Sequence, residues 1–266
     1  MYTVRRIAVT RRSIVKGLHL VFLFLMTLLA GTAFGEKQHE TDVIPTGAGD
    51  LTVTFLGHGS LLFSFDGTTI AVDPYAKVAD YTTLPKADIL LVTHEHGDHL
   101  DLGAIQAIRS DRTVVAASPA AAEKIPGAVV LKNGDRKVFP GARKNSPGIE
   151  VIVVPAYNLV HERSPGVPFH PKGRGNGYVL TFGDKRVYVA GDTENIPEMK
   201  ALAGVDIAFL PMNLPYTMTP EMAADAARML RPKILYPYHF GETDTSRIVE
   251  LLRSQKETEV RIRQMQ

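Results

Sequence analysis

The chain has 266 residues, 45% of them hydrophobic, enough to bury the core of one α/β catalytic domain, and its formal net charge is +2, with several Lys and Arg ahead of position 17. That balance excludes a basic nucleic-acid binder. The absence of cysteine excludes disulfides and thiolate metal ligands, leaving histidines and carboxylates as the strong donors.

Residues 1–35 read as a targeting segment. Arg5, Arg6, Arg11, Arg12 and Lys16 precede an apolar run from Leu18 to Ala30 and then small residues, the layout of an export signal cleaved after Ala33 or Gly35, or of an N-terminal membrane anchor if left uncleaved. The stretch Thr10 to Lys16, with Arg11 and Arg12 side by side, resembles a twin-arginine signal, so the expected location is the periplasm and membrane contact is expected only through residues 1–35. Residues 36–50 are polar and contain Gly, which reads as a linker, so the domain is expected to occupy 51–266.

Leu51 to Leu56 and Leu61 to Phe65 read as strands around the turn Gly57-His58-Gly59-Ser60, and Thr69 to Val72 as a third strand ending in Asp73, a cap or brace. Residues 88–100, Asp-Ile-Leu-Leu-Val-Thr-His-Glu-His-Gly-Asp-His-Leu, are an apolar strand running abruptly into three histidines and two acids. In an extended chain side chains two apart point the same way, so His94 and His96 can grip one ion while Glu95 faces away. Gly97 permits a bend, and beyond it Asp98 and His99 reach a second position, fixed by a helix over Leu100 to Ile108.

Next come a strand at Thr113 to Ala117, a short helix at Pro119 to Lys124, a hairpin over Val129 to Val138 turning at Lys132-Asn133-Gly134-Asp135, and a strand at Ile149 to Val154. The loop from Pro155 to Tyr178 holds His161 and His170 and is long for a connection inside a compact domain, which points to function. Gly177 to Phe182 and Arg186 to Ala190 form a hairpin that delivers Asp192, whose two oxygens suit it to span two cations. A strand at Val205 to Leu210, a helix at Pro220 to Leu230, a strand at Ile234 to Tyr238 that delivers His239, a helix at Ser246 to Arg253 and an edge strand at Val260 to Met265 complete the chain.

Three segments, His94-Glu95-His96-Gly97-Asp98-His99, then Gly191-Asp192-Thr193, then Tyr236 to Gly241, stand in the order expected of the metallo-β-lactamase fold hydrolases and resemble that family over the chain beyond residue 50. The resemblance implies an α/β fold, a four-layer αββα sandwich. It also implies a loop histidine as a further ligand, for which His170 is favoured over His161. His94, His96 and His170 are then expected to hold one ion and Asp98, His99 and His239 the other, with Asp192 shared. The nitrogen and oxygen donors suit two divalent ions, zinc first, with manganese, iron or nickel compatible. Such a pair would activate a bridging hydroxide for attack on an ester, lactone or phosphodiester of a small-molecule substrate, with Asp98 or a metal-bound water handling proton transfer. His58 is expected beside the pocket but outside the ligand set, and Tyr157, Asn158, Arg174 and Tyr216 are loop residues available to orient substrate. Within the superfamily the chain looks most like the broad branch containing ascorbate-phosphate lactonase and N-acyl-phosphatidylethanolamine phospholipase. The alternative is a non-hydrolytic metal-binding or redox protein on the same fold.

Overall fold

The computed structural model describes residues 39–144, 146 and 148–265, so the expected export signal or anchor at 1–35 lies outside the described residues. One seven-stranded sheet contains, in spatial order, β1 (Glu40–Thr46), β2 (Gly49–Gly57), β3 (Ser60–Phe65), β4 (Thr68–Val72), β5 (Ile89–Val92), β6 (Val114–Ala117) and β7 (Val129–Val130). A second takes β8 (Arg136–Phe139) and β9 (Ile149–Ala156). After a small ribbon of β10 (Glu162–Ser164) and β11 (Val167–Pro168) it continues with β12 (Gly175–Phe182), β13 (Lys185–Val189), β14 (Ile207–Pro211), β15 (Ile234–Tyr238) and β16 (Glu259–Val260), in the spatial order β16-β15-β14-β13-β12-β9-β8.

Strand alternation sets the layers. Leu61, Phe63 and Phe65 of β3 and Ile89 and Leu91 of β5 enter the core between the sheets, where the Phe63 and Phe65 rings lie 5.6 and 5.5 Å from Phe182. The intervening Leu62, Leu90 and Val92 join Ala104, Ile105 and Ile108 of α1 (Leu102–Ile108) in a second core on the outer face, near α2 (Pro119–Ala122). On the far side, a 3-10 helix (Pro197–Leu202), α3 (Pro220–Leu230) and α4 (Ser246–Leu251) cover the second sheet, and the buried alanines 223, 224, 226 and 227 let α3 approach β14 closely. Thr219 caps α3 by accepting a hydrogen bond from Met222 N, and Pro220 occupies its first position. The result is the expected αββα sandwich.

Three expectations are corrected. Residues 40–46 are not linker: they form β1, antiparallel to β2, and the domain begins at His39. As an edge strand, β1 buries only Ile44 while Val43 stays 59% exposed, so its composition looks like a linker's. The turn at Lys132 to Asp135 forms, Asp135 N donating to Lys132 O at 2.9 Å, but it joins two sheets instead of making a hairpin. There β7 runs parallel to β6 and β8 antiparallel to β9. The last strand stops at Val260; beyond it the chain crosses to β1 through side chains.

That crossing centres on Asp42. Arg263 Nη2 donates to both its oxygens at 2.8 and 2.7 Å, Arg261 Nη1 donates at 3.2 Å, and the Tyr236 hydroxyl also donates. Burial alone would raise the Asp42 carboxyl, but the Tyr236 hydrogen bond and the paired Arg263 hold it below its ordinary value. A folded value below the unfolded one means that the stabilisation is present above about pH 4 and is lost as pH falls through the folded value. Asp42→Ala is expected to cost about 2 kcal/mol at pH 7, less than a fully buried pair, with the gap from wild type closing below about pH 4. Urea melts at both pH values check this; a gap under about 0.5 kcal/mol at pH 7, or one that persists in acid, would contradict it.

Candidate metal centre

The C-terminal ends of strands from both sheets meet at one edge. His58 follows β2, Asp73 follows β4, His94 and His96 follow β5, Asp192 follows β13, Asn213 follows β14 and His239 follows β15. His58, Asp73 and His239 have φ of 52°, 46° and 43°, so three of these residues turn off their strands in the left-handed region. Gly191 has φ of 65°, and a Cβ there would lie 2.7 Å from Asn176 O, so only glycine brings the chain round to Asp192. The edge is stitched across the sheets: His239 N donates to His58 O at 2.9 Å, Asn176 N to Thr93 O at 2.9 Å, and the Tyr178 hydroxyl to Val92 O at 2.7 Å.

All seven expected ligands converge. His170 Nε2 and His239 Nε2 lie 3.2 and 3.4 Å from Asp192 Oδ2, His99 Nε2 lies 3.3 Å from Oδ1, and His94 Nε2 lies 3.8 Å from Oδ2. His96 Nδ1 is 3.1 Å from His94 Nε2, and Asp98 Oδ2 is 3.8 and 3.7 Å from His99 and His239. Ligand atoms about 2.1 Å from a shared ion, at tetrahedral to octahedral angles, stand about 3.0–3.4 Å apart, so much of this spacing is that of a coordination shell. His94, His96 and His170 form one group able to hold an ion, and His58, Asp98, His99 and His239 another.

The partners of the other ring nitrogens fix the tautomers. The Thr93 hydroxyl donates to Asp73 Oδ2 at 2.6 Å, so at 3.0 Å it accepts from His94 Nδ1. Asp73 Oδ2 accepts from His99 Nδ1 at 2.8 Å, and Asn158 Oδ1 from His170 Nδ1 at 2.7 Å. The Nε2 lone pairs of His94 and His170 are thereby aimed at Asp192. Burial would lower His99, but the Asp192 and Asp73 carboxylates on either side of it hold its imidazole well above its ordinary value, so that ring carries charge between them. Burial, with His99 nearby, holds the His94 imidazole well below its ordinary value, and burial lowers His96 and His239 too, so these rings are neutral donors at pH 7. Asp192 goes the other way: burial would raise it, yet His239 and His99 keep it well below the carboxylate range.

Whether the donors suit a cation can be tested on the polar atoms left without partners. Among the described residues, His99 Nε2, His239 Nε2 and Asp192 Oδ1 are buried with no hydrogen-bond partner. Leaving such atoms unmet costs about 1–3 kcal/mol each, and three converging orphans are what a cation would satisfy. The cluster fits a metal.

The remaining expected residues divide. His161 is not in the cluster; its Nδ1 lies 2.8 Å from Glu194 Oε1. His58 sits closer than expected, its Nε2 2.9 Å from Asp98 Oδ2 and its ring 3.8 Å from that of His239. Asn158 positions His170, and Tyr216 lines the cavity above the cluster. Tyr157 and Arg174 are corrected. The Tyr157 hydroxyl donates to Glu198 at 2.9 Å, and Arg174 pairs with Glu95 at 2.6 Å; neither lines the cavity. Sequence reasoning missed Glu194, which accepts from the backbone of Leu159, Val160 and His161 at 2.7, 2.8 and 2.7 Å. A carboxylate two residues past Asp192 was its only signal. It also missed Asn213 and Arg163 of the cavity wall, for which no local pattern exists.

Residues 52–239 match the model of the beta-lactamase superfamily domain. A UPF0173 metal-dependent hydrolase of Hyperthermus butylicus is 32% identical over 205 residues, 71% of this chain and 83% of that protein. A crystal structure from Parabacteroides distasonis, described provisionally as a metal-dependent hydrolase, is 49% identical with a TM-score of 0.79, covering 86% of this chain and all of the other. A metallo hydrolase of Ignicoccus hospitalis, at 24% identity and a TM-score of 0.64 over 81% of this chain and 95% of its own, shares the fold.

His170→Ala is expected to lose bound metal and His161→Ala to keep it, while Asn158→Ala, which removes the brace on His170, weakens metal affinity about 10- to 100-fold. Metal content after gel filtration checks all three; metal lost from His161→Ala alone would reverse the assignment.

Proposed function

The chain belongs to the β-lactamase superfamily and is a metal-dependent hydrolase, and from that footing we propose that it holds two divalent cations, zinc first, and hydrolyses an ester, lactone or phosphodiester of a small molecule. His94, His96 and His170 would hold one cation, Asp98, His99 and His239 the other, with Asp192 between them. The observation that carries this reading is the buried Asp192 carboxylate with four imidazole nitrogens 3.2 to 3.8 Å from its oxygens. When bound, such cations supply Lewis-acid polarisation and a water acidic enough to ionise near pH 7, about nine units below bulk water.

The chain's own groups do the rest. Burial would raise the Asp98 carboxyl, but the hydrogen bond from His58 and the charge of His99 hold it well below its ordinary value, so it is ionised where it meets the cavity. An anion there accepts a hydrogen bond from the attacking water and orients it. His58, 2.9 Å behind it, donates to this carboxylate and holds its orientation. The neutral His94 and His239 rings keep the floor free of competing acids. We further propose that residues 1–35 export the protein to the periplasm or tether it at the membrane, so that its substrate is met there.

Chelation followed by gel filtration is expected to abolish hydrolysis of bis(p-nitrophenyl) phosphate or of a simple lactone, and zinc or manganese to restore it. Asp98→Asn is expected to lower kcat by about 100-fold or more. Hydrolysis indifferent to the chelator would overturn the reading.

A further inference from the structure

The cavity over the cluster encloses about 530 Å³, and among the described residues its wall contains one permanently charged cation, Arg163. The neighbouring cations are committed elsewhere: Arg174 to Glu95 at 2.6 Å and Lys172 to Glu198 at 2.8 Å. Among the described residues no carboxylate pairs with Arg163, whose guanidinium lies 5.9 Å from the centre of the Phe169 ring. The acid beside it, Glu162, is turned away and accepts from Gly166 N at 2.9 Å.

Two features of the backbone place this guanidinium. In the ribbon, Glu162 faces Pro168 and Ser164 faces Val167, so Arg163 is the extra residue of a β-bulge, a device that re-aims a side chain. The foot of the ribbon is fixed: Leu159, Val160 and His161 donate their backbone N–H groups to the buried Glu194, and Asn158 ties Glu194 to His170. The charge is therefore held on a support continuous with the cluster. Phe169 and Tyr216, rings 5.0 Å apart edge to face, form an apolar wall beside it.

Resting on the metal-hydrolase reading, we propose that Arg163 is the specificity-determining residue of this centre, binding an oxyanion, carboxylate or phosphoryl, on a substrate whose organic part lies against Phe169 and Tyr216. A guanidinium presents a planar fork of N–H donors that matches either oxyanion with two parallel hydrogen bonds, and at a solvated cavity mouth it discriminates charge without needing a buried counter-ion.

The test is calorimetric titration of the metal-loaded full chain with phenylphosphonate and with benzoate, in wild type, Arg163→Met and Arg163→Lys, with metal content measured for each. Methionine keeps an apolar stem against Phe169 and lacks the charge. The expected result is binding at least about 10-fold weaker in Arg163→Met, partial recovery in Arg163→Lys and equal metal content throughout. The more tightly bound probe identifies the oxyanion. Wild type and Arg163→Met binding both probes equally while fully loaded would overturn the role of Arg163 alone. Wild type that takes up no metal would overturn the metal reading, and this proposal with it.

Discussion

A carboxylate as buried as that of Asp192, 4% exposed, persists in its ionised form only where positive charge or donors face it. Here the facing groups are imidazoles, and burial pushes two of them, His94 and His239, toward neutrality. His99 is held well above its ordinary value, but its one charge is shared between Asp192 and Asp73, and among the described residues one Asp192 oxygen and two facing nitrogens have no hydrogen-bond partner. The rest of the edge is arranged to hold this imbalance in place. Asp73, itself fully buried, receives the Thr93 backbone and hydroxyl and the His99 ring, and so couples the end of β4 to the first motif. Glu194 does the same for the loop that carries His170.

Because the centre lies where two sheets meet, the sandwich core governs it. Phe63, Phe65, Phe182 and Phe209 set the spacing of the sheets, and the cross-sheet hydrogen bonds at His239, Asn176 and Tyr178 convert that spacing into side-chain positions. Backbone in the left-handed region at His58, Asp73 and His239 is tolerated because buried hydrogen bonds on both sides over-determine it.

Much of this is legible in the sequence. Ile89 to Val92 and Ile234 to Tyr238 are continuous apolar runs, and His94 and His239 leave these strands within two residues, so motif and strand end coincide in sequence. What was hidden depends on partners distant in the chain. Glu40 to Thr46 looks like linker because an edge strand buries one face only. The Lys132 to Asp135 turn has hairpin chemistry whether its flanks pair with each other or, as here, with β6 and β9. Tyr157 and Arg174 were drawn away from the site by Glu198 and Glu95, and no local pattern announces those pairings. The bulge that turns Arg163 into the cavity is equally silent, being a property of strand register.

Asp192 is proposed to join two cation positions. Anomalous diffraction at the zinc edge, from crystals of the full chain grown with zinc, tests it directly. Two peaks are expected, both in contact with the Asp192 carboxylate, one beside His94, His96 and His170 and the other beside Asp98, His99 and His239. A single peak, or peaks remote from Asp192, would contradict it.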